Sequence, residues 1–389
     1  MSKLKELIDK LCPDGVEYKK LGDNNVSVMQ RGSSLTKKDA TEGPYPVISG
    51  GKTPAFYCDK FNREGETITV AGSGAGAGYV QYWNEPIFVC DAFSVKGVNN
   101  NSTKYLYYCL TNLQDKIYAT KKGSGVPHVH ISSIDKFEIP LPPIEVQEEI
   151  VRILDNFTKC TAELQAELQA REEQYEYYRN KLLSFEGRTD VEWKKLGEVC
   201  EFIKDGTHGS YNNVEDGYPL LSAKDINNGV ISIPQDCRRI SKEDYDSIYK
   251  KYKLLKGDVL ITIVGSIGRT AIVGDGIEVA FQRSVGILRP LNIVLSSYLF
   301  YALQTSSSQK KLAARTSKSA QGGVYLGELS KIEIPIPTLT EQQRIVDILD
   351  RFDILVNDIS QGLPAEIEAR QNQYEYYRNR LLSFKRLTT

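Results

Sequence analysis

The chain has 389 residues, 41% of them hydrophobic and 25% charged, with a net charge of −1; this is the profile of a soluble protein of about two to three domains. No uncharged apolar run reaches the roughly 18 residues that a membrane span needs, and the opening MSKLKELIDKLCPDG is charged throughout, so neither a transmembrane helix nor a secretory signal is expected. Seven cysteines at 12, 58, 90, 109, 160, 200 and 237 are odd in number and form no CxxC pair, which predicts reduced thiols in a cytoplasmic protein rather than a disulfide framework or zinc site.

In chain order, the first distinctive element is VEYKKLG at 16–22. The preceding overlap PDGVEYK (13–19) offers Pro-Asp and Glu-x-Lys, as nuclease sites do, but Asp14 and Glu17 are too close in sequence to flank a metal on adjacent strands. A block from 23 to 135 follows, read as a globular α/β or β-rich domain. Within it, GETITVAGSGAGAGYVQYW (65–83) is predicted as strand, glycine turn and strand. Its GSGAGAG lacks the GK[ST] ending of a phosphate loop and runs into aromatic residues, so a hairpin is expected rather than a nucleotide site. STKYLYYCLTNLQDKIYA (102–119) has the spacing of an amphipathic helix. PHVHI (127–131) places His128 and His130 on one side of a strand, with no further ligand cluster for a metal.

KFEIPLPPIEVQEEIVRILDNF (136–157) then opens a long periodic stretch. Ile150, Leu154, Phe157, Thr161, Leu164, Leu168, Arg171, Tyr175, Tyr178, Leu182 and Phe185 alternate at spacings of four and three, the seam of a coiled coil. A helix of that length makes a rod of about 60 Å. The stretch ends in QYEYYRNKLLSF (174–185).

The plan then repeats. VEWKKLG stands at 191–197, a second unrelated block at 198–330, KIEIPIPTLTEQQRIVDILDRF at 331–352 and QYEYYRNRLLSF at 373–384. In the second block DGTH (205–208) reads as a polar loop or turn, GDVLITIVGSIGRTAIVG (257–274) answers the first hairpin, and LSSYLFYALQTSSSQKKLAA (295–314) answers the first helix. The second seam runs through Ile345, Leu349, Phe352, Val356, Ile359, Leu363, Ile367, Arg370, Tyr374, Tyr377, Leu381 and Phe384, with a four-residue stutter at Leu363. Gly362 and Pro364 predict a kink or break there.

Charge is unevenly placed. Residues 279–327 hold no acid but contain Arg283, Arg289, Lys310, Lys311, Arg315 and Lys318, and residues 92–134 hold one acid against Lys96, Lys104, Lys116, Lys121 and Lys122. A basic surface on each block suggests two contacts on one duplex. The recurring polar residues of the QYEYYRN segments suggest one partner bound twice, at Tyr175, Tyr178, Arg179, Tyr374, Tyr377 and Arg378. A stand-alone DNA-binding regulator and a purely structural coiled-coil scaffold remain as alternatives; the first would bind tightly without partners, and the second leaves the basic blocks unexplained.

The order of variable block, EIPLPPIEVQEEIVRILDNF, a helix ending YEYYRNKLLSF, and the whole plan again resembles the specificity subunit of type I restriction–modification enzymes, over essentially the full chain. The LCPDGVEYKKLG opening and the GSGVPHV and IPLPP motifs share that resemblance. It implies an α+β protein in which two globular α/β target-recognition domains are separated by two long antiparallel coiled-coil helices, as a pseudo-twofold tandem repeat. The expected boundaries are 1–143 and 188–338 for the recognition domains and 144–187 and 339–389 for the spacer helices. It further implies a non-catalytic chain that reads the two halves of an asymmetric DNA target and binds two methyltransferase subunits, with restriction or motor subunits joining. S-adenosylmethionine, ATP and Mg are then expected on the partners, and no cofactor or metal on this chain. Residue chemistry nominates as DNA contacts Arg31, Lys37, Lys52, Lys121, Lys122, Ser124 and His128 in the first block. In the second it nominates Lys204, Thr207, His208, Lys224, Arg269, Gln282, Arg283, Lys318 and Gln321.

Overall fold

In the computed structural model, the residues described are 2–123, 125–227, 229–250, 253–317, 322–358 and 360–387. Ser124, Lys318, Gln321 and Ile359 of the expectations above therefore lie outside the described residues.

The repeated motifs at the two ends of each block pair with one another. Glu17–Lys20 runs antiparallel to Glu138–Leu141, with Tyr18 opposite Pro140. Glu192–Lys195 pairs with Glu333–Ile336 in the same register, Trp193 opposite Pro335. Each ladder has only two strands, so both are edges and a proline is tolerated in them. Backbone bonds extend the clasp alike: Leu21 N to Phe137 O and Gly22 N to Asp135 O in one, Leu196 N to Ile332 O and Gly197 N to Ser330 O in the other.

Inside the clasp the two blocks share one topology despite little shared sequence. The first has a four-stranded antiparallel sheet in the order Ser27–Arg31, Ala92–Gly97, Thr67–Ala71, Val80–Trp83. The second has Cys200–Asp205, Val285–Pro290, Val259–Thr262, Thr270–Ile272. Each also has a three-stranded sheet whose middle strand, Tyr45–Ile48 or Tyr218–Leu221, pairs parallel with a two-residue strand, Phe88–Val89 or Ala280–Phe281. The expected hairpins are present. Gly74 and Gly78 turn the first at φ 82° and 83°, Gly265 and Gly268 the second at 80° and 90°, in the left-handed region open to glycine. The expected single helices are each two: Thr103–Asn112 and Gln114–Ala119, then Ser296–Gln304 and Ser306–Ala314. Thr305 caps the last of these through its hydroxyl, accepting from Ser308 N. The PHVHI segment forms isolated bridges at His128 rather than a strand, though the two imidazoles do lie on one side, stacked 6.1 Å apart.

The first long helix is continuous over Ile144–Leu182, while the second is broken into Leu339–Asn357 and Leu363–Leu381, as Gly362 and Pro364 require. The chain divides into two compact units, Met1–Glu163 with Ile367–Thr389, and Leu164–Glu366. Each unit thus holds one block, the start of the helix that follows it and the end of the other helical stretch. In the first, Phe157 stacks on Tyr377 at 5.4 Å, and Val16 N bonds to Lys385 O. In the second, Tyr175 and Tyr178 stack on Phe352 at 6.1 and 5.6 Å.

Two repeated polar clamps bolt each helix to its block. Gln147 is buried, takes a bond from Ser102 N and donates to Pro142 O; Gln342 takes one from Leu295 N and donates to Ile293 O and Pro337 O, all at 2.9–3.0 Å. Tyr108 donates to Asp155 at 2.5 Å and Tyr301 to Asp350 at 2.6 Å. Burial, and then the neighbouring carboxylate, push both phenols well above their ordinary pKa, so both stay donors at neutral pH. Replacing Gln342 by leucine leaves one buried and two part-buried backbone bonds unmade, and a loss of about 2–3 kcal/mol is expected. The exposed neighbour variant Gln343→Leu should stay within about 0.5 kcal/mol of the parent. Urea denaturation of the full chain measures both; equal midpoints would contradict the clamp.

Candidate nucleic-acid interface

The late basic runs are less available than their sequence suggests. Lys104 pairs with Asp155 and Arg289 with Asp258, each at 2.8 Å. Lys311 donates to Glu333 O at 2.8 Å beside the Trp193 ring, and Arg315 lies 3.9 Å from Glu328. These four cations hold the blocks together, so they add less to the expected basic surface of each block than their sequence positions suggest.

Of the nominated residues in the first unit, Arg31 and His128 come together. With Asp91 and His130 they line one cleft, where the strand Ser27–Arg31 ends beside the glycine hairpin. Arg63 fixes the strand end by donating to Arg31 O at 2.9 Å. Lys122 N and His128 O bond at 3.0 Å, and the Lys122 side chain is exposed next to the cleft wall. Lys121 is half-buried over the Tyr118 ring at 4.2 Å, Lys52 lies over Tyr79 at 5.3 Å, and Lys37 is exposed on a turn where Thr36 bonds Asp39.

In the second unit His208 and Arg283 line one cleft with Asp205 and Tyr325. His208 Nε2 meets Asp205 Oδ2 at 2.6 Å. Thr207 and Gln282 form a parallel bridge behind it, and the Thr207 hydroxyl bonds the Tyr211 hydroxyl at 2.5 Å. DGTH is thus a strand end and loop that carries a cleft wall. Lys204 is half-buried over the Phe202 ring, and Lys224 is exposed on the single turn Ala223–Asp225. Arg269 stands elsewhere, in a cleft with Glu172, Glu176 and Asp353, whose carboxylates make it a poor place for DNA. Among the described residues no group of three or more metal-ligating side chains occurs. Asp91, His130, Asp205 and Tyr325 were not nominated from sequence; only the Asp205–His208 spacing hinted at them.

The repeated QYEYYRN segments prove two-sided. Tyr175 is 5% exposed and donates to Asp353, whose own carboxyl is pushed up by burial. Arg179 lies over the Tyr175 ring and donates to Gln304 at 3.1 Å, and Asn180 bonds Ser306. In the first unit Arg378 lies over Tyr374 and donates to Asn112 at 3.2 Å. The expectation that the recurring polar residues stand on an external face is therefore corrected at Arg179, Asn180 and Arg378: the first two dock the end of the first helix on the second block, and Arg378 docks the end of the second helical stretch on the first block. Tyr178 is partly exposed and Tyr377 half-buried. The residues that do face outward are Glu176, Tyr177 and Lys181, and again Glu375, Tyr376 and Arg380, with both tyrosines 57% exposed.

The geometry has counterparts. The family model for the type I restriction modification DNA specificity domain matches this chain twice, over residues 13–173 and 189–369. The Escherichia coli type I restriction enzyme EcoR124I/EcoR124II specificity subunit is 34% identical over 89% of this chain and 95% of its own length. A putative type I restriction enzyme specificity subunit of Haemophilus influenzae is 34% identical over 95% of this chain and 96% of its own. Among solved structures, the S subunit of a type I restriction–modification system from M. genitalium shares the fold with a TM-score of 0.60 at 18% identity, covering 95% of this chain and 96% of that one. A chain from a study of complex assembly and conformational transition in a type I system gives 0.60 at 20% identity, covering 96% and 98%. Duplicated clasps, duplicated clamps and a family match to each copy lead to one conclusion: this chain belongs to the family of type I restriction–modification specificity subunits.

Proposed function

We propose that each unit reads one half of an asymmetric, bipartite DNA target, that the helices set the spacing of the halves, and that the chain performs no chemistry itself. The observation that carries this reading is the pair of clefts. Two blocks of one topology present differently lined clefts at matching places, which suits two different half-targets. Methyl transfer, with S-adenosylmethionine, and translocation or cleavage, with ATP and Mg, would then belong to methyltransferase and restriction subunits. The chain's share is to hold the duplex in register.

Two copies of one partner are supported by the outward halves of the repeated segments. An exposed aromatic ring flanked by an acid and a base is the kind of anchor that dominates protein interfaces, and it occurs twice, at Tyr177 and Tyr376.

Exchanging residues 23–135 for another family member's block should change one half of the methylated motif in cells that co-express the methyltransferase subunit, and leave the other half intact. A change in both halves, or in neither, would refute the reading. For the partner, the double variant Tyr177→Ala/Tyr376→Ala should retain markedly less methyltransferase in a pull-down while the chain's thermal midpoint holds. Undiminished retention counts against this face.

A further inference from the structure

The two clefts match in backbone except that the second wall is one residue longer in the second unit, where Ile263 N bonds Ser284 O as Gly72 N bonds Asp91 O, and Arg283 follows the residue bonded to the middle strand as Asp91 does. In each, a strand ends in a glycine pressed on the neighbouring chain: Gly32 N bonds Ala92 O and Gly206 N bonds Val285 O, at 2.9 and 3.0 Å. A Cβ on Gly32 would sit 2.1 Å from Cys90 O, and one on Gly206 2.1 Å from Phe281 O, so only glycine fits either position. The second wall follows the short parallel strand, where Cys90 N bonds Ile48 O and Gln282 N bonds Leu221 O, both at 2.8 Å. The third wall is tied to the hairpin by Val129 N to Gly72 O and Val324 N to Ile263 O, both at 2.9 Å.

On this shared frame the charges are exchanged. The residue before the glycine is Arg31 in one unit and Asp205 in the other. The second wall carries Asp91 in one and Arg283 in the other. Among the described residues neither Arg31 nor Arg283 has a side-chain hydrogen bond or ion pair, so these are not two copies of a structural salt bridge. The carboxylates are oriented by side chains of the cleft, Asp91 by the Ser73 hydroxyl and Asp205 by His208. A phosphate grip would gather cations and exclude a carboxylate. One guanidinium with one carboxylate instead matches a base pair in the major groove: arginine donates to guanine O6 and N7, and a carboxylate accepts from the cytosine amino group.

We infer that the two clefts are the places where each half-target is discriminated, and that each takes one G·C pair, with Arg31 and Asp91 reading it in the first unit and Arg283 and Asp205 in the second. The exchange of walls turns the pair end for end between the units. This deepens the DNA-reading function proposed above and rests on it.

The test is the methylated motif of cells co-expressing the full-length chain and its methyltransferase subunit. Arg31→Gln should weaken discrimination at one guanine of the first half-target about five- to hundredfold, toward adenine, which glutamine reads. The exchanged variant R31D/D91R should favour the reversed pair at that position. The second half-target should stay unchanged in both. If Arg31→Gln abolishes methylation, binding of the assembled complex to duplexes varied at single half-target positions gives the answer. Loss confined to one base pair supports the inference; equal loss on every duplex overturns it, because it marks a structural or phosphate contact. An unchanged motif with full discrimination also overturns it. The exchange of residues 23–135 separates the two levels: if that exchange alters the half-target while Arg31→Gln does not, only the cleft assignment fails.

Discussion

Everything in each unit depends on the antiparallel clasp between VE[YW]KK and EIP[LI]. It brings the two ends of a block of over a hundred residues side by side, in identical register in both units. The entropic cost of closing such a loop grows only slowly with its length, so what lies inside can change without moving the ends. The buried Gln147 and Gln342 then tie the loop before the first block helix to the helix that leaves the clasp. A frame of this kind lets the interior vary in sequence while the two ends of the block and the helix that leaves it stay in place.

The same logic separates what repeats from what does not. Residues that recur are those that close the block, clamp the helix or dock it: Tyr105 and Tyr298 to the clasp prolines, Asp155 and Asp350 to tyrosines, Arg179 and Arg378 over tyrosine rings. Residues that differ run through both blocks and include the cleft walls, where Arg31 and Asp91 stand in one unit and Asp205 and Arg283 in the other. Their backbone bonds nevertheless largely coincide, because main-chain amides and carbonyls make them and most side chains permit them, the close-packed Gly32 and Gly206 excepted.

That distinction explains how much could be read from sequence. The duplicated plan, the hairpins and the break at Gly362 were legible, because periodicity, glycine turns and proline act locally. The common topology of the blocks was not read, although Tyr-Pro-Val-Ile-Ser (45–49) and Tyr-Pro-Leu-Leu-Ser (218–222) share a short pattern at the strands that hold the matching parallel pairs; five residues are too few to fix a pairing between distant strands. The outward face of the repeated segments was misjudged for a geometric reason. Tyr175 and Tyr178 belong to the apolar seam, and Tyr177 lies about 200° round the helix from Tyr175; the seam assignment itself already turned Tyr177 and Lys181 outward. Lysine and arginine counts overstated the basic faces because Arg289 and Lys104 are spent on internal carboxylates. The cleft carboxylates escaped notice because acids are not sought among candidate DNA contacts, although an acceptor is what a cytosine amino group requires.

The measurement that tests the central claim most directly is hydrogen exchange of the assembled complex on a duplex with both half-targets and on duplexes with one half altered. The account predicts that the cognate duplex protects the cleft backbones of both units, around Arg31, Asp91 and Val129 and around Asp205, Arg283 and Val324. Altering one half-target should release protection in a single unit. Cleft amides that exchange at the same rate with and without DNA, or a loss in both units whenever either half is altered, would contradict it.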